Sequence, residues 1–194
     1  MIHPTADISD KAKLGKNVNV WLHSQIRENV LIGDNVNIGK NVYIDKNVNI
    51  GNNVKIQNNV SIYDYAEIKD GVFIGPHVCF TNDKYNRAIN PDGSPRGAGD
   101  WIQGKILIGE GASIGARTVL GTNIKIGKFA LIGMGSVVTK DVPDFALVFG
   151  NPAKFQGYVC KCARRAVKIS SLNISLLENC VYCNTKLDGL IKLR

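Results

Sequence analysis

Counting in steps of six from Ile8 lands on an aliphatic residue twelve times running: Ile8, Leu14, Val20, Ile26, Ile32, Ile38, Ile44, Ile50, Ile56, Ile62, Ile68 and Ile74, with Phe80 at the next step. Four residues after each step stands a small or β-branched residue, from Ala12 and Val18 to Val72 and Val78. Three residues after it, Asn recurs at Asn17, Asn29, Asn35, Asn41, Asn47, Asn53 and Asn59. A period of six matches neither the helical repeat of about 3.6 nor the strand repeat of about 2. It fits a two-residue strand followed by a sharp corner, and Asn and Gly tolerate the left-handed backbone that such corners require. The expected fold is all-β: a parallel β-helix with three hexads to a coil of about 18 residues, coils stacking at roughly 4.8 Å. The register breaks over about residues 81–101, a polar stretch rich in Gly and Pro that reads as an extruded loop. Beyond it the count resumes at Ile102, Ile108, Ile114, Leu120, Ile126, Ile132 and Val138.

Composition narrows the function. Twenty-four Lys and Arg against sixteen Asp and Glu leave a net charge of +8, suited to anionic ligands. No stacking-aromatic motif or groove-reading helix accompanies that charge, so nucleic-acid binding is not expected. No apolar run approaches the roughly 20 residues of a membrane span, and the start MIHPTADISD does not read as a signal peptide. A cytoplasmic protein without membrane insertion is the expectation.

An 18-residue coil allows residues to be stacked on paper. His23, Asn41, Asn59 and His77 share one corner; Glu28, Lys46, Asp64 and Asn82 share another; Tyr63 lies one coil below Thr81. Gln57, Asn59, Tyr63, Asp64 and Asn82 therefore fall on two adjacent coils where the loop leaves. A polar group beside a long loop is the expected active site. Asn41 and Asn53 read as turn formers; Asn82, which opens the loop, suits a turn or a function equally. Arg87 and Arg96 in the loop suit a ligand phosphate or plain solvent. Residues 1–157 are expected to form the β-helix domain and 158–194 a Cys-rich tail. In that tail Cys160 and Cys162, then Cys180 and Cys183, make two close pairs resembling a zinc ribbon. Structural zinc, reduced thiols and a disulfide of the Cys160–Cys180 type are the alternatives, and no Gly follows either pair. Cys79 reads as a small packed residue.

The [LIV]-G-x-x-[VAST]-x hexads over about residues 8–140 resemble the left-handed β-helix of the hexapeptide-repeat acyltransferases. That resemblance implies a left-handed coil, a homotrimer, and acetyl-CoA lying in clefts between subunits. The segments HPTA, VWLHSQI, KIQNNVSIYDYAEIKDGVFIGPHVCFTND and VVTKDVPDFALVFGNPAK resemble N-acetyltransferases of nucleotide-linked 3-amino sugars. The nearest likeness is to those acting on UDP-2-acetamido-3-amino-2,3-dideoxyglucuronate for surface glycans, with dTDP-sugar relatives sharing much of the pattern. On that likeness Asn82 positions the amine or the thioester, the departing CoA sulfur takes the proton, and His77 is a reserve base. The likeness also assigns Trp21 and His23 to the sugar side of the cleft, and Gly115, Ala116, Gly133 and Lys140 to CoA. Trp21 could instead cover the prism at a subunit contact. An O-acetyltransferase with His77 as base is the enzymatic alternative, and a non-enzymatic scaffold is a third reading.

Overall fold

The computed structural model describes residues 1–97, 99–169, 174–176 and 179–187. Every strand from Asp7 to Val138 is two or three residues long and runs parallel to its neighbours, and no helix occurs among the described residues. Asp7 pairs with Gln25, a separation of 25 − 7 = 18, and the same step recurs up the stack. Three faces result. The first runs from Asp7–Ile8 through Tyr43–Ile44 and Cys79–Phe80 to Val137–Val138. The second runs from Lys13–Leu14 to Ile124–Ile126, and the third from Asn19–Val20 to Ala146–Gly150.

The hexad aliphatics point inward. Ile26, Ile38, Ile44, Ile56, Ile62 and Ile74 are no more than 1% exposed, joined by the β-branched residues one corner later such as Val30, Val36 and Val60. Each buried Ile contributes about 1.5–3 kcal/mol of transfer free energy, so the column is the fold's main source of stability. At the corners the third residue after each aliphatic has a left-handed backbone, φ between 54° and 60° at Asn17, Asn29, Asn35, Asn41, Asn47, Asn53 and Asn59. The same conformation occurs at His23, Tyr65, His77, Arg117 and Asn123. Asn amides bond from coil to coil, as in Asn17 Nδ2 to Asn35 Oδ1 at 3.1 Å and Asn35 Nδ2 to Asn53 Oδ1 at 3.3 Å.

The three corners form three long edges. Edge I joins the third face to the first and carries Trp21–Ser24, Gly39–Val42, Gln57–Val60, Gly75–Val78, Gly115–Thr118 and Gly133–Ser136. Edge II joins the first face to the second and carries Arg27–Val30, Asp45–Val48, Tyr63–Ala66, Thr81–Asn82, Gly121–Asn123 and Thr139–Val142. Edge III closes the triangle. The loop leaves from edge II. Cys79 pairs with Val119, so 119 − 79 − 18 = 22 residues are inserted. A bridge between Asp83 and Gln103 closes the loop root, and Gly104 N–H donates to Asn82 C=O at 2.8 Å. This corrects the expected point of resumption. Ile102 is 81% exposed and belongs to the loop; the inward pattern restarts at Ile106–Ile108, because the root must close before the chain can rejoin the second face.

After Ala146–Gly150 the chain turns back as Ala153–Tyr158, antiparallel on the third face. On edge III the Asn ladder gives way to Phe129 stacked on Phe145, ring centroids 5.5 Å apart. Phe145 and Tyr158 pack against a small second core of Cys160, Ala166, Cys180 and Leu187.

Candidate active-site edges and a four-thiol cluster

The predicted residues do not form one cluster in a single chain. Trp21, His23, Gln57, Asn59, His77, Gly115, Ala116 and Gly133 lie along edge I. Tyr63, Asp64, Asn82 and Lys140 lie along edge II, with Arg87 in the loop above it, exposed and donating to the neighbouring Asn86 C=O at 2.9 Å. The first face separates the two edges. Two corrections follow: Gln57 and Asn59 do not adjoin Tyr63, Asp64 and Asn82, and Lys140 does not share a line with the glycines it was grouped with. The spacing of 18 identified which coil each residue occupies, but a strand lies between residue 59 and residue 63.

Edge I is built by its corners. His23, Asn41, Asn59 and His77 stack as expected, at φ of 57°, 54°, 59° and 60°. Asn41 Nδ2 donates to Asn59 Oδ1 at 3.1 Å, which leaves the Asn59 amide nitrogen facing His77 Nε2 at 3.4 Å. An amide nitrogen only donates, so Nε2 accepts and the neutral His77 ring carries its proton on Nδ1. One coil above His77 stands Arg117, exposed, with Gly135 above it. Arg117 was missed by the sequence reading, although it occupies the slot three residues after Ile114 that Asn or His fills elsewhere. The glycines of this edge permit close stacking: a Cβ at Gly115 would lie 2.5 Å from Met134 N, and one at Gly75 2.7 Å from Ala116 N. A groove of about 180 Å³ opens low on the edge between Trp21, Lys40, Gln57 and Asn58.

Edge II is more ionic. Asp64 is 6% exposed, accepts from Asn47 Nδ2 at 3.2 Å and lies 3.9 Å from Lys46 Nζ. Tyr63 packs edge-on against Tyr43 at 5.8 Å, and below them Arg27 pairs with Glu28 at 2.9 Å and Asp45 at 3.5 Å. A backbone hydrogen bond, and after it bonding to Arg27, holds Glu28 below the usual carboxylate range. Asn82 is half-buried under the loop root, beside a groove of about 310 Å³ lined by Thr81, Asp83, Lys84 and Thr139. A further groove of about 390 Å³ lies on edge III between Lys69, Leu107 and Lys125 and contains none of the predicted residues.

In the tail the four thiols converge. Cys160, Cys162, Cys180 and Cys183 have all Sγ atoms within 4.8 Å of one another, with Cys160–Cys183 at 3.5 Å and Cys162–Cys180 at 3.6 Å. Two matching hairpins present them. Ala163 N–H donates to Cys160 C=O and Asn184 N–H to Cys180 C=O, both at 2.8 Å. The residue after each pair is left-handed, φ 65° at Ala163 and 55° at Asn184, so the turn forms without the Gly a ribbon usually carries there. A tetrahedral ion with metal–sulfur distances of about 2.3 Å spaces its sulfurs about 3.8 Å apart, close to the separations here. Burial pushes the Cys160 thiol up to about 12, while hydrogen bonds to Thr185 draw Cys183 down to about 6. Cys79 is partly buried beside Phe80, as expected.

The stacked short strands, Asn corners and extruded loop define a parallel β-helix of hexapeptide repeats. Residues 47–82 and 105–140 match the bacterial transferase hexapeptide family (six repeats), and residues 29–64 match the hexapeptide repeat of succinyl-transferase. The chain thus carries this family's hexapeptide repeats over residues 29–82 and 105–140. A dTDP-3-amino-3,6-dideoxy-α-D-galactopyranose 3-N-acetyltransferase of Aneurinibacillus thermoaerophilus is 50% identical over 62 residues, 32% of each chain. A galactoside O-acetyltransferase of Lactococcus lactis is 39% identical over 85 residues, 42% of this chain and 40% of the relative. These matches span well under half of the relatives' own length. Among solved structures, a hexapeptide-repeat acetyltransferase of Vibrio cholerae complexed with acetyl coenzyme A superposes with a TM-score of 0.50 at 26% identity, covering 62% of this chain and 69% of that one. An N-acyltransferase of Bacillus cereus, solved with dTDP and coenzyme A, shares the fold at a TM-score of 0.52 and 18% identity over 81% and 79% of the chains. No helix among the described residues is long and apolar enough to cross a membrane.

Proposed function

We propose that the protein is an acetyl-CoA-dependent N-acetyltransferase acting on the 3-amino group of a sugar carried on a pyrimidine nucleotide, UDP or dTDP, for surface-glycan synthesis. The observation that carries this reading is the 50% identity with a dTDP-3-amino-sugar N-acetyltransferase. Because edge I and edge II are apart in one chain, the site is completed between copies, in a homotrimer whose loop and Asn82 from one subunit face edge I of the next. Gly115, Ala116 and Gly133 then line the path of the CoA arm, with Arg117 for a phosphate. Trp21, His23, Gln57, Asn59, Tyr63, Asp64 and Arg87 surround the nucleotide sugar, and Lys140 is a second cation for phosphate on edge II.

The neutral amine attacks the thioester carbonyl, and charge develops on its oxygen. The C–S bond then breaks and the amine proton passes to the leaving sulfur. Asn82 holds the amine in line. His77, whose Nε2 faces the Asn59 amide at 3.4 Å, stands in reserve as a base. A hydroxyl nucleophile would need such a base, whereas a neutral amine does not. Cys160, Cys162, Cys180 and Cys183 would hold a zinc ion; four thiolates leave no open position, so such an ion fastens the tail and takes no part in transfer. Kinetics of two variants test the proposal. Asn82→Ala should lower kcat at least tenfold and His77→Ala should leave it within a few-fold; the reverse order would replace this mechanism with a His77-based one.

A further inference from the structure

The groove low on edge I has a composition that transfer chemistry alone does not require. Trp21 is 41% exposed, and its indole N–H donates to Asn37 Oδ1 at 3.1 Å, which fixes the ring plane at the groove wall. Gln57, two coils above it and lining the same groove, presents a primary amide with no hydrogen bond among the described residues. Asn58 spends its Oδ1 on Lys40 N–H at 3.0 Å, and its amide nitrogen makes no hydrogen bond among the described residues. Lys40 Nζ has no ion pair among the described residues. The floor is Gly39, where a Cβ would lie 2.6 Å from Asn58 Oδ1 and intrude on the space.

A fixed aromatic plane, free amide groups at its side and an unpaired cation together suit a nucleobase with an attached phosphate. The base stacks on the indole, the amides meet its polar edge, and the ammonium meets the phosphate. We infer that this groove is the base-binding subsite for the nucleotide portion of the acceptor. The inference rests on the nucleotide-sugar reading above and names a part of it. Position along the edge supports the assignment. Trp21, Gly39, Gln57 and Gly75 follow one another by single coils, so the groove ends one coil below Gly75 and His77. Three coils at roughly 4.8 Å give about 14 Å, a span for ribose and two phosphates between base and sugar. The glycines assigned to CoA lie on the coils above His77, so acceptor and donor approach the reacting level from opposite ends.

Trp21 and Trp101 are the two tryptophans of the chain, so a Trp101→Phe protein reports on Trp21 by fluorescence. Titration with UDP and with dTDP should quench that signal saturably. Ribose 5-phosphate, which lacks a base, should not. Trp21→Ala should weaken nucleotide binding measured by calorimetry by about fivefold or more, and Trp21→Phe should restore most of it. Nucleotide binding without quenching, or unchanged in Trp21→Ala, would overturn the subsite while leaving the nucleotide-sugar reading intact. Quenching by free coenzyme A in place of UDP and dTDP would reassign the groove to the donor's adenine. Failure of every nucleotide to bind would instead remove the nucleotide-sugar reading, and this inference with it.

Discussion

Asn35 isolates what the corner ladder contributes. Its backbone is left-handed at φ 57°, its Oδ1 accepts from Asn17 Nδ2 at 3.1 Å, and its Nδ2 donates to Asn53 Oδ1 at 3.3 Å. It is exposed and on edge III, away from the candidate site. Replacement by Ala removes both bonds, each worth about 0.5 kcal/mol at such a position, and puts a Cβ in a conformation that costs roughly 1.5 kcal/mol. The expected loss is about 2.5 kcal/mol. Replacement by Gly removes the same bonds without the Cβ, and costs a further ~0.5 kcal/mol through the freer unfolded chain, about 1.5 kcal/mol in all. With a urea dependence of about 2 kcal/mol per molar, the two midpoints should differ by about 0.5 M, Ala lower. Equilibrium urea unfolding followed by circular dichroism measures this. Equal midpoints, or Gly lower than Ala, would refute the claim that left-handed backbone tolerance selects Asn at these corners.

Three further outcomes are expected. Asn82→Ala and Ala116→Phe damage different edges, so co-refolding the two impaired proteins should raise activity to about a quarter of wild type if each site is shared between copies; no recovery above the separate variants would place the site within one chain. Metal analysis of protein purified without chelator should find one zinc per chain, and chelation should lower the melting temperature, whereas metal-free protein with unchanged melting would leave the tail as reduced thiols. Bonding to Lys69 and then to Lys105, the latter at 3.0 Å, holds the Glu67 carboxylate below its ordinary 4.5. A depressed folded value stabilises above the ordinary one and is lost as pH falls through it, so the stability difference between wild type and Glu67→Gln should be constant at neutral pH and shrink below about pH 4.5.

The coil was readable because one residue in six must face the axis, and Ile or Val at that position is hard to mistake. The corner stack of His23, Asn41, Asn59 and His77 followed from the same count. The count failed where the chain leaves the prism. Ile102 continues the six-step yet is exposed, because the bridge between Asp83 and Gln103 sets where the chain rejoins. It also could not say that Gln57 and Asp64 lie on different edges, since residues close in sequence on one coil are separated by a whole face. The thiol cluster was legible from spacing, but the left-handed turns at Ala163 and Asn184 that close it without Gly were not. Arg117 and the Trp21 groove emerged from coil-to-coil juxtaposition.

Acetyl transfer itself is tested most directly by following thiol release from acetyl-CoA with UDP- and dTDP-linked 3-amino sugars beside matched 3-hydroxy sugars. Release with a 3-amino nucleotide sugar alone, giving an N-acetylated product by mass spectrometry, is the predicted result. Release with the hydroxyl acceptors and none with the amines would contradict it.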